Sequence, residues 1–312
     1  MPAPRTEANR SVSFLIPIVL ACGCCAAQTR ATVAPRTHAD VKSIRTATFR
    51  LNAQLVQIPV SVTDMWDRPQ MDLRQNEFRI FEDGVEQQVA AFSVADAPIS
   101  TGIVFDASGS MKSTIADSRE ALNEFFKVTS PEDEFFLVRF NDKAQLVTPF
   151  TNDPAEVMHR LGMVVPHGWT AMYDAIFYSM QQIRRAANTR RTLLVLSDGE
   201  DNNSRYSESE VLSLVRESDV SVYAIGLFRQ THTLERMADE TGGRMIWVHR
   251  LSDLPEAIEK LSREMRNIYM LSYFSKNSIT DGRYRKVKVE VTRPDSQQLR
   301  VTWRRGYYVP GE

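Results

Sequence analysis

The sequence is poor in cysteine, in histidine and in net charge. All three cysteines, Cys22, Cys24 and Cys25, lie near the N-terminus of the 312-residue chain, so neither a disulfide framework nor a cysteine-based zinc site stabilises the rest. The 38 basic and 39 acidic residues nearly cancel. Nucleic acid is therefore a poor candidate partner, because its binding needs a cationic surplus. With 43% apolar and 25% charged residues, the composition is that of a globular protein.

No apolar run is long enough to cross a membrane. The run Phe14–Ala21 has roughly eight residues and follows two arginines, whereas a membrane-spanning helix needs ~20. A short apolar run behind basic residues is typical of a signal peptide, and we expect residues 1–27 to be one. The protein would then act outside the cytoplasm, in the periplasm, in the medium or attached to the cell envelope.

Two ways of processing this signal peptide stay open. Residues 19–22 (VLAC) resemble a bacterial lipobox, in which case Cys22 becomes the lipidated first residue and supplies the chain's only membrane anchor. Alternatively, residues 25–27 (CAA) before Gln28 fit cleavage after small residues. Residues 28–48 mix Thr, Ala, Arg and Pro without periodicity, and we expect them to form a linker to the first folded segment.

Alternating apolar and polar residues predict two β segments, one on each side of the middle of the chain. In the segment 49–96, residues 56–62 alternate, and an Asp-Gly pair at 83–84 supplies a tight hairpin turn. In the segment 267–312, residues 287–291 alternate in the same way. Each segment is too short to bury a core alone. We expect the two to pack together as one small β-sandwich-like domain, and two separate β appendages are the alternative.

Between these segments, residues 97–266 alternate continuous apolar runs with helical periodicity. The runs at 103–105 (IVF) and 193–196 (LLVL) are typical of buried strands. Apolar residues between 172 and 187 recur at the spacing of an amphipathic helix. This alternation predicts an α/β domain with a doubly wound, mostly parallel sheet that carries helices on both faces and is inserted between the β segments.

Polar residues follow the predicted strands at the edge of the sheet where ligands bind in such folds. Asp106, Ser108 and Ser110 come directly after one strand, and Asp198 comes after another. Thr170 lies between them, ahead of the amphipathic helix. Two carboxylates and three hydroxyls offer only oxygen atoms, which suit a hard cation such as Mg²⁺.

The order of these five residues, Asp-x-Ser-x-Ser followed by Thr and Asp, resembles the metal-ion-dependent adhesion site of von Willebrand factor type A domains. The flanking β segments, with a FEDG hairpin at 81–84, resemble those of bacterial "VWFA-related" proteins. The likeness covers roughly residues 49–308. It implies a Rossmann-like von Willebrand factor type A domain over 97–266 and a bound Mg²⁺ ion, with Mn²⁺ or Ca²⁺ as alternatives.

The resemblance also implies a role for each of the five residues. Ser108 and Ser110 are similar to the direct hydroxyl ligands of the family, and Thr170 is similar to the ligand that engages when a partner binds. Asp106 and Asp198 are similar to the carboxylates that hold ligands or bridging waters. With few charged groups touching it, the ion can accept a carboxylate from another molecule. The implied function is therefore metal-dependent protein binding, in adhesion or in complex scaffolding, through an acidic side chain of the partner.

Four neighbouring side chains are candidates for a rim that the partner touches. Trp169 stands where the family often has a second glycine, and it is either a partner anchor or a lid over its loop. For His167 we favour loop packing over metal binding, because no second His or Cys accompanies it at ligand spacing. Glu200 and Asp201 either concentrate cations around the site or simply face solvent. Asp174 is expected to be a carboxylate in the first turn of a helix.

The sequence offers no catalytic constellation near these residues. It has no Gly-x-Ser-x-Gly elbow, no His-Glu-x-x-His and no phosphate loop, and its five histidines include no obvious partner for a nucleophilic serine. We therefore expect a binding protein and not an enzyme. Two alternatives stay open: a cytosolic accessory subunit of an ATPase complex, and a structural domain whose metal site is vestigial.

The signal peptide is testable by mass spectrometry of the protein isolated from its producing cell. We expect a mature chain that begins at a lipidated Cys22 or at Gln28, because both processing sites lie behind the apolar run. A chain that retains residues 1–28 intact would contradict export and favour the cytosolic alternative.

Overall fold

Strands and helices account for most of the residues that this computed structural model describes, namely 55–95, 97–228, 232–294 and 296–311. The predicted signal peptide and linker lie outside these residues. The strands are β1 (Leu55–Thr63), β2 (Phe78–Glu82), β3 (Val85–Gln87), β4 (Val89–Ala95), β5 (Ile99–Asp106), β6 (Glu134–Phe140), β7 (Ala144–Thr151), β8 (Arg190–Ser197), β9 (Val220–Leu227), β10 (Met245–Val248), β11 (Ile268–Phe274), β12 (Tyr284–Val291), β13 (Arg300–Trp303) and β14 (Gly306–Tyr308). The helices are α1 (Ile115–Phe126), α2 (Pro154–Gly162), α3 (Met172–Ile183), α4 (Glu208–Glu217), α5 (His232–Thr241) and α6 (Leu254–Arg266). No helix within the described residues is long and apolar enough to span a bilayer.

The middle of the chain forms a six-stranded sheet in the order β10-β9-β8-β5-β6-β7. Its strands run parallel except β7, which returns antiparallel beside β6. β5, β8 and β9 are buried over nearly their whole length, as their continuous apolar runs predict. The sequence analysis misses β7, because Pro149 and scattered polar residues blur its alternation.

Helices pack on both faces of this sheet. α1, α2 and α6 bury apolar side chains against one face, where Phe105, Leu137 and Leu194 lie. α3, α4 and α5 do the same against the other face, around Val104 and Val195. Neighbouring residues of one strand thus enter different cores, because successive side chains point to opposite faces. The predicted doubly wound α/β fold is confirmed.

Two four-stranded antiparallel sheets, β13-β1-β11-β4 and β14-β12-β2-β3, flank the α/β domain. They share one hydrophobic core, which includes Val60, Ile80, Tyr269 and Val289. Each sheet combines strands that precede the α/β domain with strands that follow it. The predicted β-sandwich-like domain therefore exists, and the alternative of two separate β appendages is wrong.

The hairpin between β2 and β3 has the geometry that its sequence predicts. Glu82 pairs with Val85, which leaves a two-residue turn. Asp83 (φ 48°) and Gly84 (φ 83°) both adopt positive φ, as a type I′ turn requires. The turn fixes the register of the hairpin and places Glu82 on its buried face.

A buried carboxyl group links the two chain segments of the sandwich. Glu82, from the segment that precedes the α/β domain, is only 2% exposed. It accepts hydrogen bonds from the hydroxyls of Tyr273 (2.8 Å), Tyr307 (2.8 Å) and Ser275 (2.6 Å), all from the segment that follows. Burial, and after it the bond to Glu82, raises the pKa of both tyrosines. Both hydroxyls therefore keep their protons and donate at neutral pH.

Replacing Glu82 with Ala should lower the free energy of unfolding by about 3 kcal/mol, because the hydroxyls of two buried tyrosines and of the half-buried Ser275 lose their acceptor. Chemical denaturation of the variant and the wild type measures this difference. Glu86→Ala is the matched control, since Glu86 is half exposed and pairs with Arg79 at the surface. Its loss should stay within about 0.5 kcal/mol. Equal losses in the two variants would show that Glu82 does not join the segments.

Candidate functional site

The predicted metal-ligating residues converge where the strand order of the central sheet reverses. β5 lies between β6 and β8 and ends at Asp106. β8 ends at Ser197, directly before Asp198. Connections leave the two neighbouring strands in opposite directions at this point, which opens a crevice at their carboxyl ends. The polar residues that the sequence analysis singled out after β5 and β8 therefore lie beside one crevice.

Asp106 is the buried end of the site, with no exposed surface. Its Oδ2 accepts a hydrogen bond from Ser197 Oγ (2.5 Å), and its Oδ1 accepts one from the backbone N–H of Ser108 (2.8 Å). Burial raises the pKa of the Asp106 carboxyl to about 6, although these hydrogen bonds lower it, and the nearby charge of Asp198 adds to the rise. None of these groups is cationic, so an ion bound beside Asp106 would relieve the cost of its charge.

Hydroxyl groups continue from Asp106 towards the surface. Ser108 Oγ lies 3.0 Å from Ser110 Oγ, and Ser110 Oγ donates to Asp198 Oδ1 (2.8 Å). Ser108 is buried, Asp198 is 9% exposed and Ser110 is exposed. Four of the five predicted residues thus form one hydrogen-bonded series that leads from the core to solvent.

Thr170 is held beside these residues by hydrogen bonds of its backbone. Its N–H donates to Asn202 Oδ1 (2.8 Å), and its carbonyl accepts from the N–H of Asn202 (3.0 Å). The loop ahead of Thr170 is hydrogen-bonded to the loop that follows β5, because the N–H of Gly109 donates to the carbonyl of Gly168 (3.0 Å). Thr170, Ser110 and Asp198 line one surface depression. The structure therefore brings all five predicted residues together.

Trp169 is held by its backbone and exposes its ring. Its N–H donates to Asp142 Oδ1 (2.8 Å), while 64% of the residue is exposed. Gly168 must be glycine, because its φ is 77° and a Cβ there would lie 2.3 Å from Asp142 Oδ2. The indole is therefore largely open to solvent, and its contact with a partner stays a prediction.

His167 packs into its own loop. Its Nδ1 lies 2.9 Å from the carbonyl of Val165, which can only accept, so Nδ1 carries the proton. Its Nε2 then accepts from Asn141 Nδ2 at 3.0 Å. Both ring nitrogens are therefore engaged within the protein, and neither points to a metal role.

The acidic residues beside the site differ in what they do. Asp201 accepts from the N–H of Tyr173 (3.1 Å), and Asp174 accepts from the N–H of Arg205 (2.9 Å). Both carboxylates hold the loop that follows β8 against the first turn of α3. Glu200 is exposed at the edge of this loop, which leaves it available to solvent or to a partner.

The depression at the site has a volume of about 810 Å³. Its lining includes the carboxylates of Asp198, Glu200 and Asp201 and contains no Lys or Arg. A concave surface of one charge sign concentrates counter-ions, here cations. No cluster of three or more His, Cys, Asp or Glu side chains suited to a metal occurs among the described residues. The donor set is instead hydroxyl-rich and made only of oxygen, which fits a hard divalent cation.

Sequence reasoning missed four residues that hold this arrangement. Ser197 binds Asp106, Asn141 and Asp142 hold the loop that precedes Thr170, and Asn202 holds Thr170 itself. Asn141 and Asp142 directly follow the apolar strand β6. The rule that polar residues after buried strands belong to the site would have found them.

A protein-family model described as "von Willebrand factor type A domain" matches residues 101–200. Inter-alpha-trypsin inhibitor heavy chain 4 of Mus musculus is 24% identical over 182 residues, which is 53% of this chain and 19% of that protein. Heavy chain H4 of Bos taurus is 26% identical over 198 residues, which is 58% of this chain and 22% of that protein. The chain thus spans about a fifth of the length of these relatives.

Solved structures show a similar fold. Proximal thread matrix protein 1 from the mussel byssus, with a zinc-occupied MIDAS motif, superposes with a TM-score of 0.51 at 19% identity and covers 59% of this chain and 49% of its own. A von Willebrand factor type A protein from Catenulispora acidiphila gives a TM-score of 0.51 at 12% identity and covers 84% and 74%. At such identities the likeness is one of fold.

The raised pKa of Asp106 predicts a pH dependence of stability in the metal-free protein. The folded-state value of about 6 exceeds the ordinary value of 3.8, so the folded state holds this proton more tightly than the unfolded state does. The destabilisation is absent below about pH 4 and complete above about pH 6, where it reaches about 3 kcal/mol. Asp106→Asn has no such ionisation.

Denaturation of both proteins in chelator between pH 4 and pH 7 tests this. The free energy of unfolding of Asp106→Asn, relative to wild type, should rise by about 3 kcal/mol across that range. A difference that stays constant with pH would contradict the buried carboxylate. The same denaturation series is measured for Ser197→Ala. This substitution removes a hydrogen bond that lowers the pKa and should move the transition to higher pH.

Proposed function

This chain contains a von Willebrand factor type A domain, and from that premise we propose that it is an exported protein-binding module that captures its partner through a divalent metal ion. The ion, Mg²⁺ in our proposal, is held by Ser108 and Ser110, with Asp106 and Asp198 supporting them directly or through water. Thr170 joins when the partner binds. The observation that carries the proposal is the hydrogen-bonded series from Asp106 through Ser108 and Ser110 to Asp198.

The donor set explains why the ion would bind a partner. Serine and threonine hydroxyls are neutral, so they leave most of the charge of the cation unneutralised. Ser110 is exposed, and the ion beside it would face the open depression. A carboxylate of another protein is the natural additional ligand for a hard, electron-poor cation. An acidic side chain of the partner therefore completes the coordination, and Trp169 and Glu200 lie ready to contact the residues around it.

Binding without catalysis is the role that this site supports. Domains of this family generally act as interaction modules. His167, which lies in the loop ahead of Thr170, is engaged through both ring nitrogens, so it is not poised to activate a nucleophile. Export rests on the signal-like N-terminus, and it would place the module outside the cytoplasm.

Isothermal titration of the full chain with Mg²⁺ and Mn²⁺ into the millimolar range tests the metal site. Ca²⁺ is included as an alternative ion, and Zn²⁺ because it fills the motif of the mussel protein. We expect saturable binding that weakens roughly 10–100-fold in Ser110→Ala and in Asp106→Ala. The affinity should also fall below about pH 6, because Asp106 must lose its proton.

Ser113→Ala is the matched control, because Ser113 lines the same depression without belonging to the predicted ligand set. It should bind the ion as the wild type does. Failure of the folded wild type to bind any of the ions would contradict a preformed metal site and favour a vestigial one. Equal weakening in Ser110→Ala and Ser113→Ala would contradict the ligand assignment.

A further inference from the structure

Within the described part of the chain, one edge of the β-sandwich lacks the features that normally prevent strands from pairing with other chains. Natural proteins protect sheet edges by short strands, charges, prolines or a covering element. β3, β10 and β14 have only three or four residues, β7 contains Pro149, and β13 carries Arg300. β4 is different, because its seven residues (VAAFSVA) include no charge and no proline.

The two open sides of the sandwich are not equivalent. On the side of β13 and β14, α5 contacts β13 and α4 contacts β14. Two hydrogen bonds close this side: the N–H of Arg305 donates to the carbonyl of Glu240 (3.0 Å), and Arg304 donates to the carbonyl of Arg216 (3.1 Å). On the other side, β4 pairs with β11 along one edge only, and no strand among the described residues pairs with its outer edge.

The side chains of β4 are uncharged, and most of them are accessible. Val94 is 50% exposed, and Ala91 and Ser93 are exposed as well. Phe92 anchors the strand by packing against Tyr269 in the core, with ring centroids 5.4 Å apart. The strand is therefore held in an extended conformation, and among the described residues no strand pairs with its uncharged outer edge. At the start of β4, the carbonyl of Val89 accepts from Gln75 Nε2 (3.0 Å).

We propose that the outer edge of β4 binds β4 of a second copy of this chain, in antiparallel order, to form a twofold dimer with a continuous eight-stranded sheet. The register of β4 with β11 is regular over Ala91–Ala95 and shifts beyond it, so the regular stretch centres on Ser93. Ser93 then faces Ser93 of the second copy, and Phe92 faces its Val94.

Self-pairing suits this edge for three physical reasons. An aromatic residue opposite a β-branched residue is a favourable cross-strand pair, and the symmetry forms it twice. The strand that would be paired contains no charged residue in either copy. The opposite side of each sandwich is closed by α4 and α5, so the sheet cannot extend further and assembly stops at two copies, as closed symmetry requires.

Sedimentation velocity of the full chain over the micromolar range tests the dimer, with Ser93→Lys and Ser93→Asp as variants. Each variant alone places like charges opposite each other at the axis, and the dimer dissociation constant should rise by more than about tenfold. An equimolar mixture of the two places opposite charges there, and the dimer should return. Ser213→Lys and Ser213→Asp, on the exposed surface of α4, are matched controls and should behave as wild type.

Circular dichroism and the thermal midpoint establish that each variant folds, which exposed Ser93 should allow. Wild-type protein that dimerises, variants that separate and a mixture that reassociates would together support the proposal. A wild type that stays monomeric would overturn it, as would variants that dimerise like wild type or a mixture that stays monomeric. None of these outcomes depends on the metal site, since the experiment is run in chelator.

Discussion

The burial of Asp106 is the constraint on which the rest of the site depends. A carboxylate without exposed surface, at the end of the central strand of the sheet, costs the folded protein stability and raises its own pKa to about 6. Ser197 and the backbone of Ser108 offset part of this cost. In our proposal, a divalent cation bound beside Asp106 offsets the remainder.

The loops around Asp106 are held together by hydrogen bonds. Hydrogen bonds between backbone groups connect the loop after β5 with the loop ahead of α3, and the loop after β8 holds Thr170 through Asn202. The strands before and after the α/β domain share one hydrophobic core, and the hydrogen bonds of Tyr273 and Tyr307 to Glu82 also join them. Both connections of the α/β domain to the rest of the chain therefore lead into one shared β core.

The sequence predicts the parts of the molecule that follow from local periodicity and strand ends. Continuous apolar runs identify β5 and β8, and the polar residues after them identify Asp106 and Asp198. β7 escapes prediction because its alternation is interrupted at Pro149. Asn202 escapes because its role lies in a contact with Thr170, which is distant in sequence. Asn141 and Asp142 do follow a buried strand, β6, and were missed because the strand-end rule was applied only to β5 and β8. One side of the sandwich is covered because α4 and α5 pack against β14 and β13, and the side of β4 has no such helix among the described residues. No local sequence pattern encodes this difference.

The most direct test of the metal-dependent account is a crystal structure with Mn²⁺, in which anomalous scattering locates the ion. We expect one ion bound to Oγ of both Ser108 and Ser110, on the side of these residues that faces the depression. An ion absent from this place at saturating Mn²⁺, or bound only to Glu200 and Asp201 at the surface, would contradict it.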